Sequence, residues 1–322
     1  MTNTPLVSAY VISYRRFDYL FDSIQSILNQ DYPNIELLIF DDSSPNFPYD
    51  EVKCFIEKNK KENIKNVLII THPVNLGTVE NVNSMIKNSR GEYLIGLSTD
   101  DEFYKIDSIS TIVDRMILKN ANLIITKRIK IDKSGTNQLY EMPLKKFEKK
   151  IKRMNTAEKQ NMAFLKQFYY DMASGSCMYF SRQMIYEWGL FDTKYILWED
   201  GPFLYQYTKK GFFLNLEYDI ISKKYREGGI STTKNPILII DHINFYKNEL
   251  LPDSKKYNFF LKRLVYYSYY RILVKNGIKK KNLLFDIKYI ESFMRILKYK
   301  FIFNLSKKRI TKKEKNNVLY RR

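Results

Sequence analysis

In the first hundred residues, short apolar, β-rich runs alternate with stretches of helical spacing, and this alternation constrains the fold more than any other feature. Val7–Tyr14 is apolar and β-rich, and Asp18 is placed to cap a helix running to about Asn29. Ile35–Phe40 is a run of the kind buried on both faces of a parallel sheet, and it ends at Asp41-Asp42. Asp50–Asn63 has a helical pattern, and Val67–Thr71 reads as the next strand, closed by His72-Pro73. Val79–Asn88 reads as a helix stopped by Gly91, with a fourth strand at Tyr93–Leu97. Strand–helix–strand repetition at this spacing specifies an open, mostly parallel α/β sheet with helices on both faces.

Ligands of such sheets lie beyond the carboxyl ends of the strands. Three of these ends are polar here: Ser13-Tyr14-Arg15, Asp41-Asp42-Ser43-Ser44 and Ser98-Thr99-Asp100-Asp101. Four carboxylates converging on one edge repel each other. A divalent cation together with a hydroxyl-bearing ligand would relieve that repulsion. Further along, Leu123–Ile131 reads as a strand and Leu144–Arg153 as a charged helix face or loop. Ser174-Gly175-Ser176 is a small-residue turn leading into a strand that ends near Phe180. Trp198-Glu199-Asp200-Gly201 opens a helix to about Lys210, and Lys224–Ser231, with Gly228 and Gly229, reads as a flexible loop.

Charge separates the chain into two parts. The net charge is +19, yet Lys255–Arg322 alone holds 21 Lys and Arg against three acids, a balance of +18. The pattern changes to long helices after Pro236, so the domain boundary is expected near residue 240, with the first part at 1–240 and a basic, aromatic-rich helical part at 241–322. In the second part Leu283, Ile287, Ile290, Met294, Leu297 and Phe301 form one helical stripe. Basic helices carrying Tyr and Phe suit an anionic membrane surface, or else pack as ordinary solvated helices. High pI with clustered Lys, Arg and Tyr is also the footprint of nucleic-acid binding. No nucleic-acid motif accompanies it, and the charge avoids the part with the acidic strand ends, so nucleic acid is the less favoured partner. Two isolated cysteines, Cys54 and Cys177, form no disulfide framework or metal-ligand set. With no basic leader at Met1–Tyr14 and no uninterrupted apolar span, the expectation is a cytoplasmic chain, in peripheral contact with the membrane at most.

Three segments, in this order and spacing, resemble glycosyltransferase family 2 on the GT-A fold: SAYVISYRRFDYLFDSIQSILNQDYPNIELLIFDDSS, NLGTVENVNSMIKNSRGEYLIGLSTDDEFY and WEDGPFLYQYTKKG. The resemblance implies an inverting transferase of the type that builds bacterial surface polysaccharides, taking a UDP-sugar and a glycan or lipid-linked acceptor. It implies that Tyr14 stacks on uracil with Arg15 nearby and that Asp42 accepts from the base N–H, while Asp41 serves as a turn or helix cap. A carboxylate is an acceptor only, so it selects a donating base edge. The resemblance gives ribose to Asp100 and a Mn²⁺ or Mg²⁺ chiefly to Asp101, with Asp100 able to exchange. Asp200 is the implied base, with Glu199 orienting it or touching the acceptor and Trp198 against a sugar ring or in the core. Gly77 lets backbone approach the nucleotide, Ser176 lies in the sugar loop, and Arg226 reaches the diphosphate from a late loop. The chain departs from the pattern at Ser98, where many relatives have an acid, and it has no metal-binding His in the late loop. Its two histidines, His72 and His242, read as structural residues.

Overall fold

A computed structural model describes residues 4–132, 134–135, 137–166, 172–226, 234–298, 301 and 304. Strands β1 (Val7–Ser13), β2 (Ile35–Asp41), β3 (Ile64–Thr71) and β4 (Tyr93–Ser98) are parallel, in the spatial order β3-β2-β1-β4. Helices α1 (Leu20–Leu28), α2 (Tyr49–Asn59) and α3 (Thr78–Asn88) connect them. All seven residues of β2 are buried, because side chains of a strand alternate between faces and helices cover both. Leu38 and Phe40 enter one core and Leu37 and Ile39 the other. Full burial of each such side chain contributes roughly 1.5–3 kcal/mol.

Beyond β4 the sheet becomes mixed. Strand β5 (Asp101–Phe103) is followed by α4 (Ser108–Lys119), whose Ile109, Ile112, Val113 and Met116 make one buried stripe. Strands β6 (Leu123–Ile131) and β7 (Gln138–Met142) follow, then α5 (Lys145–Lys152), α6 (Ala157–Leu165), β8 (Met178–Ser181), α7 (Arg182–Trp188), α8 (Asp200–Lys209) and β9 (Asn215–Arg226). The order continues β4-β8-β6-β9-β5, with β7 on β6. β8 is antiparallel to β4 and β6, β9 is parallel to β6, and β5 is antiparallel to β9. This return path brings the end of β9 beside Asp101, which pairs with Tyr225.

The C-terminal helices are α9 (Pro236–Phe245), a π turn at Tyr246–Leu250, α10 (Leu251–Ser254), α11 (Phe259–Lys275) and α12 (Leu283–Lys288). Asn235 caps α9, its Oδ1 accepting from Ile237 N at 2.9 Å, with Pro236 at the first helical position. α9 crosses the expected boundary at residue 240. Phe245, Tyr246, Leu250, Leu261, Leu264 and Val265 join the same core as Leu38 and Phe40. No helix among the described residues is long and apolar enough to cross a membrane.

Several local expectations are corrected. α1 begins at Leu20 with Tyr19 in the capping position, and exposed Asp18 makes no cap. α2 ends at Asn59 because β3 starts at Ile64, three residues before the expected Val67; exposed Lys65 and Asn66 are tolerated on this edge strand, and they hid its first residues from an apolar-run reading. The 144–153 segment is a helix that buries Leu144, Phe147 and Ile151. Lys224–Arg226 is strand rather than loop, held between β5 and β6; residues 227–231 of the expected loop lie outside the described residues. The 283–301 stripe is interrupted by a turn at Tyr289, and its apolar residues are exposed instead of packed.

Candidate active site

The ends of β1, β2 and β4 meet at one edge of the sheet, since β1 pairs in register with both neighbours: Ser13 with Asp41, and Ile12 with Ser98. Asp41, fully buried, turns the chain: its carboxylate accepts from Ser44 N at 2.7 Å and Ser44 Oγ at 2.6 Å. Ser44 Oγ in turn accepts from Arg15 N at 2.7 Å, at a residue held in the left-handed region with φ 55°. The Arg15 guanidinium lies 5.0 Å from the Tyr14 ring centre.

Asp42 accepts from Leu76 N at 2.7 Å, Gly77 N at 2.9 Å and Asn75 Nδ2 at 2.9 Å. A carboxylate offers about four acceptor positions, so little capacity is left for a ligand beyond shaping this loop. Burial raises the Asp42 pKa, and the two amides oppose the rise. Gly77 has φ 85°, and a Cβ there would lie 2.5 Å from Ile196 Cγ2 and 2.7 Å from its carbonyl oxygen. Only glycine meets both conditions. Ile196 is in turn fixed by Asp241, whose carboxylate accepts from Ile196 N and from Leu197 N at 2.7 Å. A support therefore runs from Asp42 through the 75–77 loop and the Ile196 segment to α9.

Asp100 and Asp101 have opposite surroundings. Asp100 is paired with Arg16 at 2.8 Å. Both Asp101 carboxylate oxygens are buried and lack a hydrogen-bond partner among the described residues. Burial pushes its pKa up to about 7, opposed by the charges of Lys223, Arg128 and Arg226. Lys223 is itself buried, donates to the Gly96 carbonyl, and has its pKa lowered by burial. A buried carboxylate without a donor is a costly arrangement, and a hard cation would satisfy it. No cluster of three or more His, Cys, Asp or Glu is present among the described residues. The residues fit Mn²⁺ or Mg²⁺ in the manner of sites that take one or two carboxylates and leave the other positions to phosphate and water.

The third part is the turn at Gly175–Cys177. Gly175 N donates to Asp200 Oδ2 at 2.6 Å, and Gly201 N donates to Oδ1 at 2.7 Å. Asp200 is the first residue of α8, where the helix dipole favours its charge. Ser176 Oγ accepts from Arg128 Nη1 at 2.6 Å, and that guanidinium stacks on Tyr225 at 4.1 Å. Glu199 has its carboxyl pushed up to about 8, first by burial and then by neighbouring Asp200. Trp198 is core, edge-on to His242 at 4.2 Å and Phe245 at 5.1 Å. His72 bonds Asn81 at 3.1 Å. Both histidines are structural in the described residues.

Arg226 departs from the expected late-loop position. It ends β9, is buried, and is ion-paired with Glu102 and with Asp22 at 3.4 Å. A diphosphate contact would require it to exchange those partners. Sequence reading also missed Arg16, Arg128, Lys223 and Asp241. Arg128 and Lys223 carried no distinct signal, since each has basic neighbours in its own strand, Lys127 and Lys130 in β6 and Lys224 and Arg226 in β9. Arg16 and Asp241 had no local signal, since each acts on a residue more than 40 positions away.

Acids gathered at the ends of the strands, followed by a turn that grips an acid at a helix start, place the polar groups of this α/β domain at one edge of its sheet. The chain belongs to glycosyl transferase family 2, whose family model matches residues 8–189. It is 31% identical over 103 residues to the putative colanic acid biosynthesis glycosyl transferase WcaA of Escherichia coli K12, covering 32% of this chain and 35% of that protein. The matches to the first curated relatives span 30–38% of those proteins' lengths. The fold is that of GT-A glycosyltransferases. Residues 1–349 of S. aureus TarS, in complex with UDP-GlcNAc, superpose with a TM-score of 0.58 at 13% identity, over 89% of this chain and 79% of that one. Mannosyltransferase PcManGT from Pyrobaculum calidifontis, in complex with GDP-Man and Mn²⁺, superposes with a TM-score of 0.56 at 13% identity, over 95% and 85%.

Proposed function

We propose that the chain moves a hexosyl or N-acetylhexosaminyl group, with inversion, from a UDP-sugar to a hydroxyl of a glycan or lipid-linked acceptor in bacterial surface-polysaccharide or glycoconjugate synthesis. The observation that carries this reading is the Asp200 carboxylate, held by two backbone amides and confronted by a small-residue turn. Membership of family 2, a relative whose name concerns colanic acid, and a structural neighbour bound to UDP-GlcNAc support it.

Asp200 takes the proton of the acceptor hydroxyl as that oxygen attacks the anomeric carbon. The bond from this carbon to the diphosphate breaks, and its electron pair leaves with UDP. Attack on the face opposite the leaving group inverts the centre. When bound, Mn²⁺ or Mg²⁺ supplies Lewis-acid neutralisation of the diphosphate, and Asp101 with Asp100 would hold it. Asp100 also reaches the ribose. Tyr14 stacks on uracil, with Arg15 beside it. Asp42 shapes the 75–77 loop, using its remaining acceptor capacity on the base, and Gly77 allows close backbone approach. Ser176 lines the sugar pocket, Glu199 orients Asp200 or the acceptor, and Arg226 is a phosphate ligand only after leaving Glu102.

A second element of the reading concerns α11, α12 and residues 290–298. Phe259, Phe260, Leu283, Leu284, Ile287 and Met294 are exposed on a strongly basic part of the chain. That combination favours an anionic membrane surface over nucleic acid, at the inner face of the plasma membrane, where a lipid-linked acceptor would be met. The test of the whole reading is a donor screen. Purified protein is given UDP- and GDP-sugars with and without EDTA, and nucleotide release is measured. Release from a UDP-sugar, suppressed by EDTA, is expected; no release from any donor would end the proposal.

A further inference from the structure

Arg16, Arg115 and Arg226 each meet a carboxylate: Asp100 for the first, Glu217 and Asp219 for the second, Glu102 for the third. Arg128 is half-buried and meets none among the described residues. Of the five N–H donors of its guanidinium, one goes to Ser176 Oγ at 2.6 Å, and no other hydrogen bond of this side chain is present among the described residues. The Tyr225 ring covers one face of the plane at 4.1 Å, so the remaining donors lie along its edge. A partly buried cation without a counter-ion is unfavourable in the free protein. Ser176 and Tyr225 nevertheless fix this one in a single orientation.

Two neighbours set the place of the guanidinium. Ser176 follows Gly175, whose amide holds Asp200. Tyr225 pairs across the sheet with Asp101, and the Arg128 charge acts on the Asp101 carboxylate. In the transferase reading the anomeric carbon lies between the base at Asp200 and the diphosphate at Asp101. A group tied to both ends borders the sugar ring that spans them. Its hydrogen bond goes to the Ser176 turn and not to Asp100 or Asp101, which assigns its open edge to the sugar. Hydroxyls of a neutral sugar can be held by amides and serines, without a permanent charge. A planar guanidinium fork fits a carboxylate, through two parallel N–H···O bonds.

We infer that Arg128 determines donor specificity by reading the carboxylate of a hexuronosyl group. The inference rests on the transferase reading above, which supplies the need for a donor sugar between Asp101 and Asp200. It adds the chemical class of the hexose that is moved: one oxidised to a uronic acid, with or without an N-acetyl substituent.

The test is calorimetry on the full chain in Mg²⁺. UDP is the reference, UDP-glucose is compared with UDP-glucuronate, and UDP-galactose with UDP-galacturonate. In at least one pair the acidic sugar is expected to bind about ten- to hundredfold more tightly than its neutral partner. Arg128→Gln should abolish that preference and leave UDP affinity unchanged. Arg128→Lys keeps the charge without the fork and should retain only part of the preference. A merely structural role on the Ser176 turn would weaken acidic and neutral sugars alike, and a diphosphate role would weaken UDP as well. Equal affinity within both pairs for the parent chain, or a loss in the two variants that UDP or the neutral sugars share, overturns the inference. Failure of UDP and of every UDP-sugar to bind sinks the transferase reading and the inference with it. Binding of UDP-sugars without an acidic preference sinks the inference alone.

Discussion

The carboxylate of Asp200 accepts the Gly175 amide at 2.6 Å, and a Cβ at residue 175 would lie 2.9 Å from both Cβ and Oδ2 of Asp200. The contact is tighter than side chains tolerate, so the small turn and the acid are matched parts. Gly175→Ala is expected to push Asp200 aside and lower kcat about 10- to 100-fold, since misplacement of a reacting group by about 1 Å can cost 10²-fold. Asp200→Asn keeps the shape and loses the base, so kcat should fall by about 10³ or more. Calorimetry should find UDP affinity retained in both. Transfer at the parent rate in Asp200→Asn would remove this residue from the role of base.

Asp101 leads to a prediction about metal. Two orphan oxygens on one buried carboxylate, with Asp100 already bound to Arg16, make a poor cation site until a diphosphate contributes oxygens. Mn²⁺ alone should therefore bind weakly, and UDP should raise its affinity about tenfold or more. By reciprocity Mn²⁺ must raise UDP affinity by the same factor. Asp101→Asn should abolish that coupling while leaving metal-free UDP binding near its parental value. Calorimetric titrations of UDP with Mn²⁺ and with EDTA measure both factors; equal UDP affinity in the two conditions for the parent chain would refute the assignment.

The parallel half of the fold was legible because β1, β2 and β4 are mostly apolar runs with polar ends, β2 and β4 running into acids, a pattern that survives without tertiary information. The acids themselves were legible for the same reason. What sequence could not carry was partnership at a distance. Nothing near Asp100 announces Arg16, and nothing near Ile196 announces Asp241. Arg226 shows the converse error. A basic residue before two glycines reads as a loop cation, yet β9 continues to it, and Glu102 from the short strand β5 pairs with it. Strand β5 is only three residues long, below the length at which alternation gives a signal.

His242 predicts a pH dependence of stability. Burial holds its pKa down at about 4, against an ordinary value of 6.5, with its ring packed on Trp198. The sign follows from proton binding. Between pH 6.5 and 4 the unfolded chain binds a proton at this site and the folded chain does not, so stability falls as pH falls through that window. At pH 5 the loss from this group is about 2 kcal/mol relative to pH 7.5, at 1.36 kcal/mol per unit. His242→Gln should be less stable than the parent at pH 7.5 through lost packing, but should show a shallower decline toward pH 5. Urea midpoints at the two pH values measure the difference; parallel declines would show that His242 does not titrate on unfolding.

The exposed apolar residues of the C-terminal helices predict how the chain meets a surface. Leu283 and Leu284 are 67% and 76% exposed, and the part of the chain that carries them has a balance of +18. An ordinary solvated helix pair would not leave adjacent leucines in water beside so many lysines. Apolar insertion and attraction to acidic headgroups should act together, each basic residue near the surface adding about 1 kcal/mol at low salt. The chain is expected to sediment with phosphatidylglycerol-rich vesicles, to do so much less with phosphatidylcholine vesicles, and to be released as salt shortens the screening length. Leu283→Gln with Leu284→Gln should cut sedimentation severalfold while nucleotide release from the donor in solution stays unchanged, because both side chains face solvent and the substitutions empty no core. Equal sedimentation with both lipids, or no effect of the double substitution, would leave the basic helices without a membrane role. A salt-sensitive gel shift with RNA in the absence of vesicle binding would point to nucleic acid instead.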